Sequence, residues 1–353
     1  MNRREFLKVL ALSAGASAVL PAVAAWDKFG FEAWPYKAPV YAGDLMVNGG
    51  IPNIGMVAVG SGACGMLRNW RGNLPELKRS VAIDTSPFVL HRTQADRSVR
   101  VGQATDKITD PKALRFQARA AQAAIREAVA GLDLIWLLSS LGGNAGTGIA
   151  PIVADVAREL AIPVIAVSVT PFAFEGDRRA QVARAGLNAI TRRVIASIEL
   201  PNEAYVTDDD DETLDMVLGH VSSDIEQLYH ATNLVLSRQG LIGVDLADIQ
   251  AVTGKAQRAL AIGHGAGSGA DGVRMAFSVA ANHRLLGNDR LPQAKGAFVA
   301  VRLKSGREAM GRVGELMQVM NGLVNDPAAL LVYGLAVEPD LPSDVQVSIM
   351  AAL

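Results

Sequence analysis

Short apolar runs alternate with amphipathic stretches from Ile51 onward, and this alternation predicts the fold. "NIGMVAVGSG" has the pattern of a strand followed by a glycine turn, "LDLIWLLSS" is apolar enough for a strand buried on both faces, and "PVIAVSVT" predicts a further strand. Residues 113–131 and the stretch that begins near Ala150 repeat apolar positions with helical period. Strands that alternate with helices indicate an α/β fold with a parallel sheet.

The pattern changes after residue 213. A long helical segment follows, and beyond it "AFVAVRL", "ALLVYGLAV" and "DVQVSIMAA" have the pattern of strands in a second, mixed domain. We therefore predict a signal-like segment at 1–25, a linker at 26–50, a parallel-sheet domain at 51–213, a central helix at 214–238 and a C-terminal α+β domain at 239–353.

The N-terminal segment has the features of a twin-arginine secretion signal. Arg3 and Arg4 precede a mostly apolar run that ends in Ala22-Val23-Ala24, the small-x-small pattern of a cleavage site. If the segment is retained, it would tether the protein to a membrane. We expect an exported or membrane-associated protein; a cytoplasmic protein, with this segment as an ordinary helix, is the alternative.

Composition narrows the classes of partner. The 353 residues carry 34 Lys and Arg against 35 Asp and Glu, so no excess of positive charge favours nucleic acid as a partner. The single cysteine, Cys64, excludes an intramolecular disulfide. The five histidines show no paired ligand spacing, and we expect no metal site of the protein's own.

A glycine-rich loop, "SSLGGNAGTGIAP" at 139–151, joins the buried strand to an apolar helix. Glycines ahead of a helix N-terminus present backbone N–H groups to a phosphate, and the carboxyl end of a strand is where open α/β sheets bind ligands. The alternative is a tight strand-to-helix turn that is kept for packing. The residues of the loop leave both interpretations open.

Several motifs together resemble the tubulin/FtsZ superfamily. They are "GGNAGTGIAPIVADVAREL", "TPFAFEGDRR", "ELPNE", "GLIGVDLADI" and "GLAVEPDLPSDVQVSIMA", in family order between Ile51 and Leu353. The resemblance implies that 51–213 is a GTPase-type nucleotide-binding domain. It also implies GTP or GDP as the cofactor, Mg²⁺ only together with the nucleotide, and subunits that stack head to tail into filaments.

The same resemblance implies the site residues. Arg179 lies near the sugar-contacting Glu175, and Asn202 matches a base-contacting asparagine, although a surface salt bridge at a helix start is the alternative for the first two. The implied nucleotide-binding residues are Gly60, Ser61, Gly62, Thr85, Gly142, Gly143, Asn144, Ala145, Gly146, Thr147, Gly148, Glu175, Arg179 and Asn202.

The chain departs from the family pattern at the phosphate-facing loops. Asn144 and Ala145 replace a glycine and a threonine. In "AVGSGACG", Ala63 and Cys64 would bring Cβ atoms to where the backbone should approach a diphosphate. The loop at 103–109 is shorter and has no glycine, and an acidic Asp84 beside phosphate would be repulsive.

The guanine end of the site also differs from the family. Leu218 stands where the family has a stacking aromatic residue, and the guanine-reading aspartate corresponds to Ser223 or, with a slip of one residue, to Asp224. The sequence does not decide between these two positions.

Two aspartates are the implied catalytic residues. Asp245 and Asp248 would enter the neighbouring subunit's site and polarise water there; an ordinary helix cap is the alternative for both. The sequence thus predicts a GTP-binding, filament-forming protein with weak hydrolysis. A structural or membrane-remodelling scaffold without nucleotide turnover is the alternative function.

Overall fold

The computed structural model describes residues 52–70, 74, 77–102, 111–207, 211, 213–236, 240–254, 259–287, 290–306, 309–324 and 326–353. The predicted N-terminal signal and linker, the shortened loop at 103–109 and most of the acidic stretch after residue 207 lie outside the described residues.

The first half is a parallel sheet with helices on both faces. The strands lie in the order β3-β2-β1-β4-β5-β6, and every neighbouring pair is parallel. The strands are β1 Ile54–Val59, β2 Arg79–Asp84, β3 Arg97–Arg100, β4 Leu134–Ser140, β5 Val164–Thr170 and β6 Ala196–Pro201. The helices are α1 Ser61–Trp70, α2 Pro87–Thr93, α3 Pro111–Ala120, α4 Gln122–Val129, α5 Asn144–Glu159 and α6 Asp177–Thr191.

These strands are continuous hydrophobic runs because both faces of the sheet are covered. Val57, Leu137 and Val167 in β1, β4 and β5 are at most 1% exposed. The apolar side chains of these strands alternate between two buried clusters, one on each side of the sheet. This architecture confirms the predicted α/β fold.

The central helix, α7, covers Leu214–Leu236 and packs against both halves of the protein. The second half continues the same sheet through β8, which pairs with β6 at Ser197 and Ile198. The complete order is β3-β2-β1-β4-β5-β6-β8-β11-β9-β10-β7. The second half comprises β7 Gly240–Ile242, α8 Leu246–Thr253, β8 Ala259–Gly267, α9 Gly272–Ala281, β9 Gly296–Leu303, α10 Ala309–Leu323, β10 Leu330–Val337 and β11 Val345–Ala352. Whether each half is an independent domain stays a prediction.

Two predicted helices differ from the structure. The helix expected at 113–131 is wrong as a single element, because Ala121 leaves helical geometry at φ −90° and ψ 7° and divides it into α3 and α4. The helix expected to begin near Ala150 begins at Asn144 instead. Gly143 provides the extended residue before its first turn, so residues 144–151 of the glycine-rich stretch form about the first two turns of α5.

Candidate functional site

One edge of the parallel sheet gathers the predicted nucleotide-binding segments. In a parallel sheet all carboxyl ends meet at the same edge, which is where such sheets bind ligands. The register places Val59 of β1 beside Ile83 of β2 and Ser139 of β4, and Thr170 of β5 beside Pro201 of β6. Each predicted segment directly follows one of these strand ends, so the fold brings them together along one edge.

A tight turn with a positive-φ glycine joins β4 to α5. Gly142 has φ +91°, which favours glycine, and its N–H donates to the Thr147 hydroxyl at 3.0 Å. The amides of Ala145 and Gly146 belong to the first turn of α5, where no i−4 carbonyl exists within the helix. The positive end of a sixteen-residue helix therefore lies at this edge.

Two glycines of this turn are required by packing. A Cβ at Gly146 would lie 1.9 Å from the carbonyl oxygen of Ser140, and a Cβ at Gly148 would lie 2.7 Å from that of Pro111. Both residues are buried inside α5. The packing interpretation therefore accounts for these two positions, while Gly142, Gly143, Asn144 and Ala145 remain partly exposed at the edge.

The first glycine turn is short. Gly60 has φ +89°, and α1 begins immediately afterwards at Ser61. A Cβ at Gly60 would lie 3.0 Å from the Gly146 amide nitrogen, so the two glycine turns contact each other. Ser61 and Gly62 are exposed at this edge.

Ala63 and Cys64 do not crowd the edge by their side chains. They are 1% and 0% exposed and belong to the hydrophobic core beneath α1. Burial is the main cause that raises the pKa of Cys64 to about 12, so this thiol is inert. The Cβ atoms of Ala63 and Cys64 therefore lie in the core beneath α1 and not at the carboxyl edge, where they were predicted to meet a diphosphate.

Asp84 is satisfied within the protein. Its Oδ1 accepts from the backbone N–H of Ser86 at 2.7 Å and its Oδ2 accepts from the Ser61 hydroxyl at 3.2 Å, and the residue is 1% exposed. Thr85, which the chain shares with the family pattern, lies between Asp84 and Ser86 in the sequence. Its carbonyl accepts a hydrogen bond from Arg100 Nε at 3.3 Å. The carboxylate thus joins the ends of β1 and β2, a contact that no sequence spacing indicates.

Glu175 and Arg179 lie beside the second glycine turn. Arg179 Nε is 2.9 Å from Glu175 Oε2, and Glu175 Oε1 accepts from the backbone N–H of Phe172 at 2.9 Å. The salt bridge at a helix start is therefore present. Arg179 also covers Gly142, because a Cβ at that glycine would lie 2.8 Å from the Arg179 Cγ. Glu175 and Arg179 therefore lie at the candidate site, and their contact with a sugar stays a prediction.

Asn202 is the residue whose environment points most directly to a ligand. It is 8% exposed at the start of a 3₁₀ turn, Asn202–Tyr205, that follows β6. Its Oδ1 is buried and accepts no hydrogen bond from the described residues. A buried acceptor without a donor is costly, so this atom suits a donor that a ligand would supply.

The two alternatives for the guanine-reading residue differ in their contacts. Ser223 Oγ accepts from Gln227 Nε2 at 3.1 Å. Asp224 accepts on Oδ2 from the Tyr205 hydroxyl at 2.6 Å and lies 3.0 Å from His283 Nε2. Asp224 is thereby bound to the second half of the protein, and Leu218 packs against the main core.

Asp245 and Asp248 form a reciprocal cap at the start of α8. Asp245 Oδ1 accepts from the Asp248 N–H at 2.9 Å, and Asp248 Oδ2 accepts from the Asp245 N–H at 3.1 Å. Asp245 lines a small cavity with Ile54 and Leu134, which are the first residues of β1 and β4. The pair therefore lies at the amino edge of the sheet, opposite the glycine turns.

Among the described residues, no cluster of three or more His, Cys, Asp or Glu side chains could hold a metal ion. Within the same ranges, every helix is too short or too polar to cross a membrane. A cavity of about 630 Å³ lies between α7 and the end of α9, with Asp224, His220 and Arg284 on its walls.

Comparison with known proteins decides the family. The model of the Tubulin/FtsZ family GTPase domain matches residues 72–208. The cell division protein FtsZ of Coxiella burnetii is 30% identical over 288 residues, which cover 76% of this chain and 70% of that protein. This chain belongs to the tubulin/FtsZ family. FtsZ of Pseudomonas putida is 27% identical over 315 residues, which cover 85% of this chain and 76% of that protein.

Solved structures share the tubulin/FtsZ fold. The empty FtsZ dimer of M. jannaschii superposes with a TM-score of 0.77 at 24% identity, covering 87% of this chain and 90% of that one. CetZ2 of Haloferax volcanii, a protofilament with GTPγS bound, has a TM-score of 0.64 at 17% identity, covering 85% and 92%. Membership of this GTPase family implies that the protein binds GTP or GDP.

Proposed function

We propose that this protein binds GTP or GDP at the carboxyl edge of its sheet and assembles head to tail into filaments, with slow hydrolysis. The observation that carries the proposal is the opposite placement of the glycine turns and the two aspartates. β1 alone separates the two edges by about 17 Å, at ~3.3 Å per residue. Asp245 and Asp248 are therefore out of reach of their own turns, whereas those of a second copy stacked in the same orientation could reach them.

Nucleotide binding is supported by the chemistry of the edge. The N-terminus of α5 and the Gly142 turn suit phosphate groups, while Glu175 and Asn202 supply acceptors for sugar and base N–H or O–H groups. Mg²⁺ would enter with the nucleotide, since the described residues form no metal cluster of their own.

Self-association is supported by the relatives. One solved neighbour is an FtsZ dimer and another is a CetZ2 protofilament. A head-to-tail contact joins two different surfaces, so repeating it produces an open filament unless the rotation closes a ring. The same contact would complete each nucleotide site with the next subunit's aspartates.

Slow hydrolysis follows from two local features. The first glycine turn leads directly into α1, which leaves Ser61 and Gly62 as its exposed residues. One oxygen of Asp245 and one of Asp248 are used in the α8 cap. Both features reduce the groups available to position phosphate and water.

The test uses the full chain. Calorimetry measures GTP and GDP binding with Mg²⁺ and with chelator, and sedimentation measures assembly with GTP, with GDP and without nucleotide. We expect micromolar binding and pelleting that requires GTP. Failure to bind either nucleotide would refute the proposal.

A scaffold without nucleotide turnover is the second candidate. The contact of the buried Asp84 with Ser61 favours it, because this carboxylate places a negative charge beside the first phosphate-facing turn. In this case the protein would sediment equally with and without nucleotide, and phosphate release would stay at the level of a blank. Such a result would replace the GTPase with the scaffold.

Localisation is proposed from the N-terminal segment. The paired arginines and the apolar run of 1–25 support export or membrane attachment, and so the filament would act at a membrane. Residues 1–26 fused to a folded reporter test this. Export or membrane fractionation of the reporter, lost when Arg3 and Arg4 are both replaced by Lys, is the expected result, and a reporter that remains in the cytoplasm would contradict it.

A further inference from the structure

Asp224 connects three parts of the protein with one carboxylate. It lies on α7, its Oδ2 accepts from the Tyr205 hydroxyl at 2.6 Å, and the same oxygen is 3.0 Å from His283 Nε2. Asp224 and His283 have side chains that are only 13% exposed. Tyr205 ends the 3₁₀ turn that begins at Asn202, whereas His283 follows α9 in the second half of the chain.

The protonation of this contact is defined by its surroundings. Burial and the Asp224 charge raise the pKa of Tyr205, so its hydroxyl stays protonated and donates. Burial raises the pKa of Asp224, but the hydrogen bonds that His283 and Tyr205 donate to its carboxylate outweigh burial, so the net pKa lies below its ordinary value. His283 Nδ1 accepts from the Leu285 N–H at 3.4 Å, which leaves the Nε2 proton for Asp224.

Arg284 holds Tyr205 from the other side. Its Cζ lies 4.9 Å from the centre of the Tyr205 ring, and its NH1 donates to the Tyr205 carbonyl at 3.2 Å. A cavity of about 630 Å³ separates α7 from the end of α9 beside these contacts. Individual side-chain contacts, and not a continuous packed interface, therefore connect α7, the end of α9 and the 3₁₀ turn at this place.

The turn that Tyr205 ends is also connected to the nucleotide edge. Glu203 Oε2 accepts from the backbone N–H of Ala173 at 2.8 Å, and Ala173 begins the short 3₁₀ turn that carries Glu175. Asn202, whose buried Oδ1 accepts no hydrogen bond from the part of the chain that the structure describes, is the first residue of the turn. A shift of Tyr205 would thus move Asn202 and Glu203 together.

We propose that Tyr205, Asp224, His283 and Arg284 are positioning residues that hold Asn202 in the nucleotide site and couple nucleotide occupancy to the position of α9. The proposal rests on nucleotide binding at the carboxyl edge, as proposed above. The coupling is reciprocal, because a ligand that fixes the Asn202 turn must also favour the arrangement of His283 and Arg284 that this turn fits.

The first test measures GDP affinity of the full chain by calorimetry. Tyr205→Phe and Arg284→Gln should each weaken binding about five- to tenfold, since each removes a hydrogen bond that holds the turn. Arg274→Gln is the matched control, because Arg274 lies on α9 in a surface ion pair with Glu315 and contacts none of these residues. His283→Ala should weaken binding, and His283→Gln, which can still donate to Asp224, should restore most of it.

A double-mutant cycle separates positioning from general destabilisation. If Tyr205 acts through Asn202, Tyr205→Phe should weaken GDP binding in the unaltered background and have no further effect in an Asn202→Ala background. Hydrogen exchange should show GDP-dependent protection of 282–286, and Tyr205→Phe should abolish that protection. A merely structural role would give additive losses and no nucleotide effect on 282–286.

The outcomes are distinguishable. If the unaltered chain binds no GDP, nucleotide binding fails and this inference fails with it. If the unaltered chain binds GDP, either of two results overturns this inference alone. The first is that Tyr205→Phe and Arg284→Gln bind GDP as tightly as Arg274→Gln. The second is that their losses of GDP affinity add to the loss caused by Asn202→Ala.

Discussion

Gly146 lies so close to Ser140 that a Cβ at position 146 would stand 1.9 Å from the Ser140 carbonyl oxygen. Backbone cannot move aside as the end of a flexible side chain can. We therefore expect Gly146→Ala to lower the free energy of unfolding by about 3 kcal/mol or more, because β4 and α5 must separate. Urea denaturation followed by circular dichroism measures this change.

Gly65→Ala is the matched control for a helical glycine. Gly65 lies in α1, and a Cβ there would meet no heavy atom within 4 Å. Alanine has the higher helix propensity, so this substitution should raise the free energy of unfolding by about 0.5 to 1 kcal/mol. Equal losses at positions 65 and 146 would show that close packing is not the reason for Gly146.

Thr147 stabilises the turn that faces the proposed nucleotide. Its buried hydroxyl accepts from the Gly142 N–H at 3.0 Å. Thr147→Val keeps the shape but removes the acceptor, so we expect a loss of about 1 to 3 kcal/mol in the free energy of unfolding and weaker GDP binding. Thr147→Ser keeps the hydroxyl and should retain GDP affinity. Calorimetry and urea denaturation on both variants check this, and similar affinities would exclude a role for the Thr147 acceptor.

The sequence predicted the fold well where a pattern extends over a whole element. Uninterrupted apolar runs at β1, β4 and β5 define strands that are covered on both faces, and their order determines which loops meet at the carboxyl edge. The breaks and first residues of individual helices were harder to predict from the sequence. The break at Ala121 has no Gly or Pro to mark it, and α5 includes glycines that helix propensity disfavours but tight packing requires.

The candidate site was predictable in outline and not in its contacts. Sequence order is enough to place Gly142 and Asn202 at the carboxyl ends of β4 and β6, on the same edge of the sheet. It does not show that Asp84 bonds to Ser61, or that Asp224 is used by Tyr205 and His283, because these partners are 19 to 59 residues apart and meet only in the folded protein. The choice between Ser223 and Asp224 as the guanine-reading position stays open.

Asp245 and Asp248 allow capping and catalysis to be separated. Asparagine caps helices about as well as aspartate and carries no charge. Asp245→Asn and Asp248→Asn should therefore change the midpoint of thermal unfolding little and lower GTP turnover by at least about a hundredfold. Phosphate release under assembling conditions and scanning calorimetry measure the two effects.

Asp245→Ala supplies the comparison for the cap. It removes the acceptor for the Asp248 N–H, and we expect a loss of about 1 kcal/mol in the free energy of unfolding as well as the loss of turnover. Turnover by the two asparagine variants at the rate of the unaltered chain would assign both aspartates to the cap alone.

His264 should make the stability depend on pH. It is 6% exposed, and its Nδ1 shares a hydrogen bond with the Ser348 hydroxyl at 3.0 Å. Burial lowers its pKa to about 4; His283 and Arg302 act in the same direction and Asp224 opposes them. Between pH 4 and the ordinary pKa near 6.5, the unfolded chain binds the proton and the folded protein does not.

The folded state should therefore lose stability as pH falls from about 6.5 towards 4, by up to roughly 3 kcal/mol from this residue alone. Urea denaturation at several pH values measures the slope. His264→Gln removes the titrating ring, so its unfolding free energy should fall less steeply over the same range, even if its stability at pH 7 is lower. The lowered pKa of Asp224 acts with the same sign, but only below its ordinary value of 3.8 and thus outside this pH range. Equal slopes for the two proteins between pH 4 and 6.5 would show that His264 takes up its proton without unfolding.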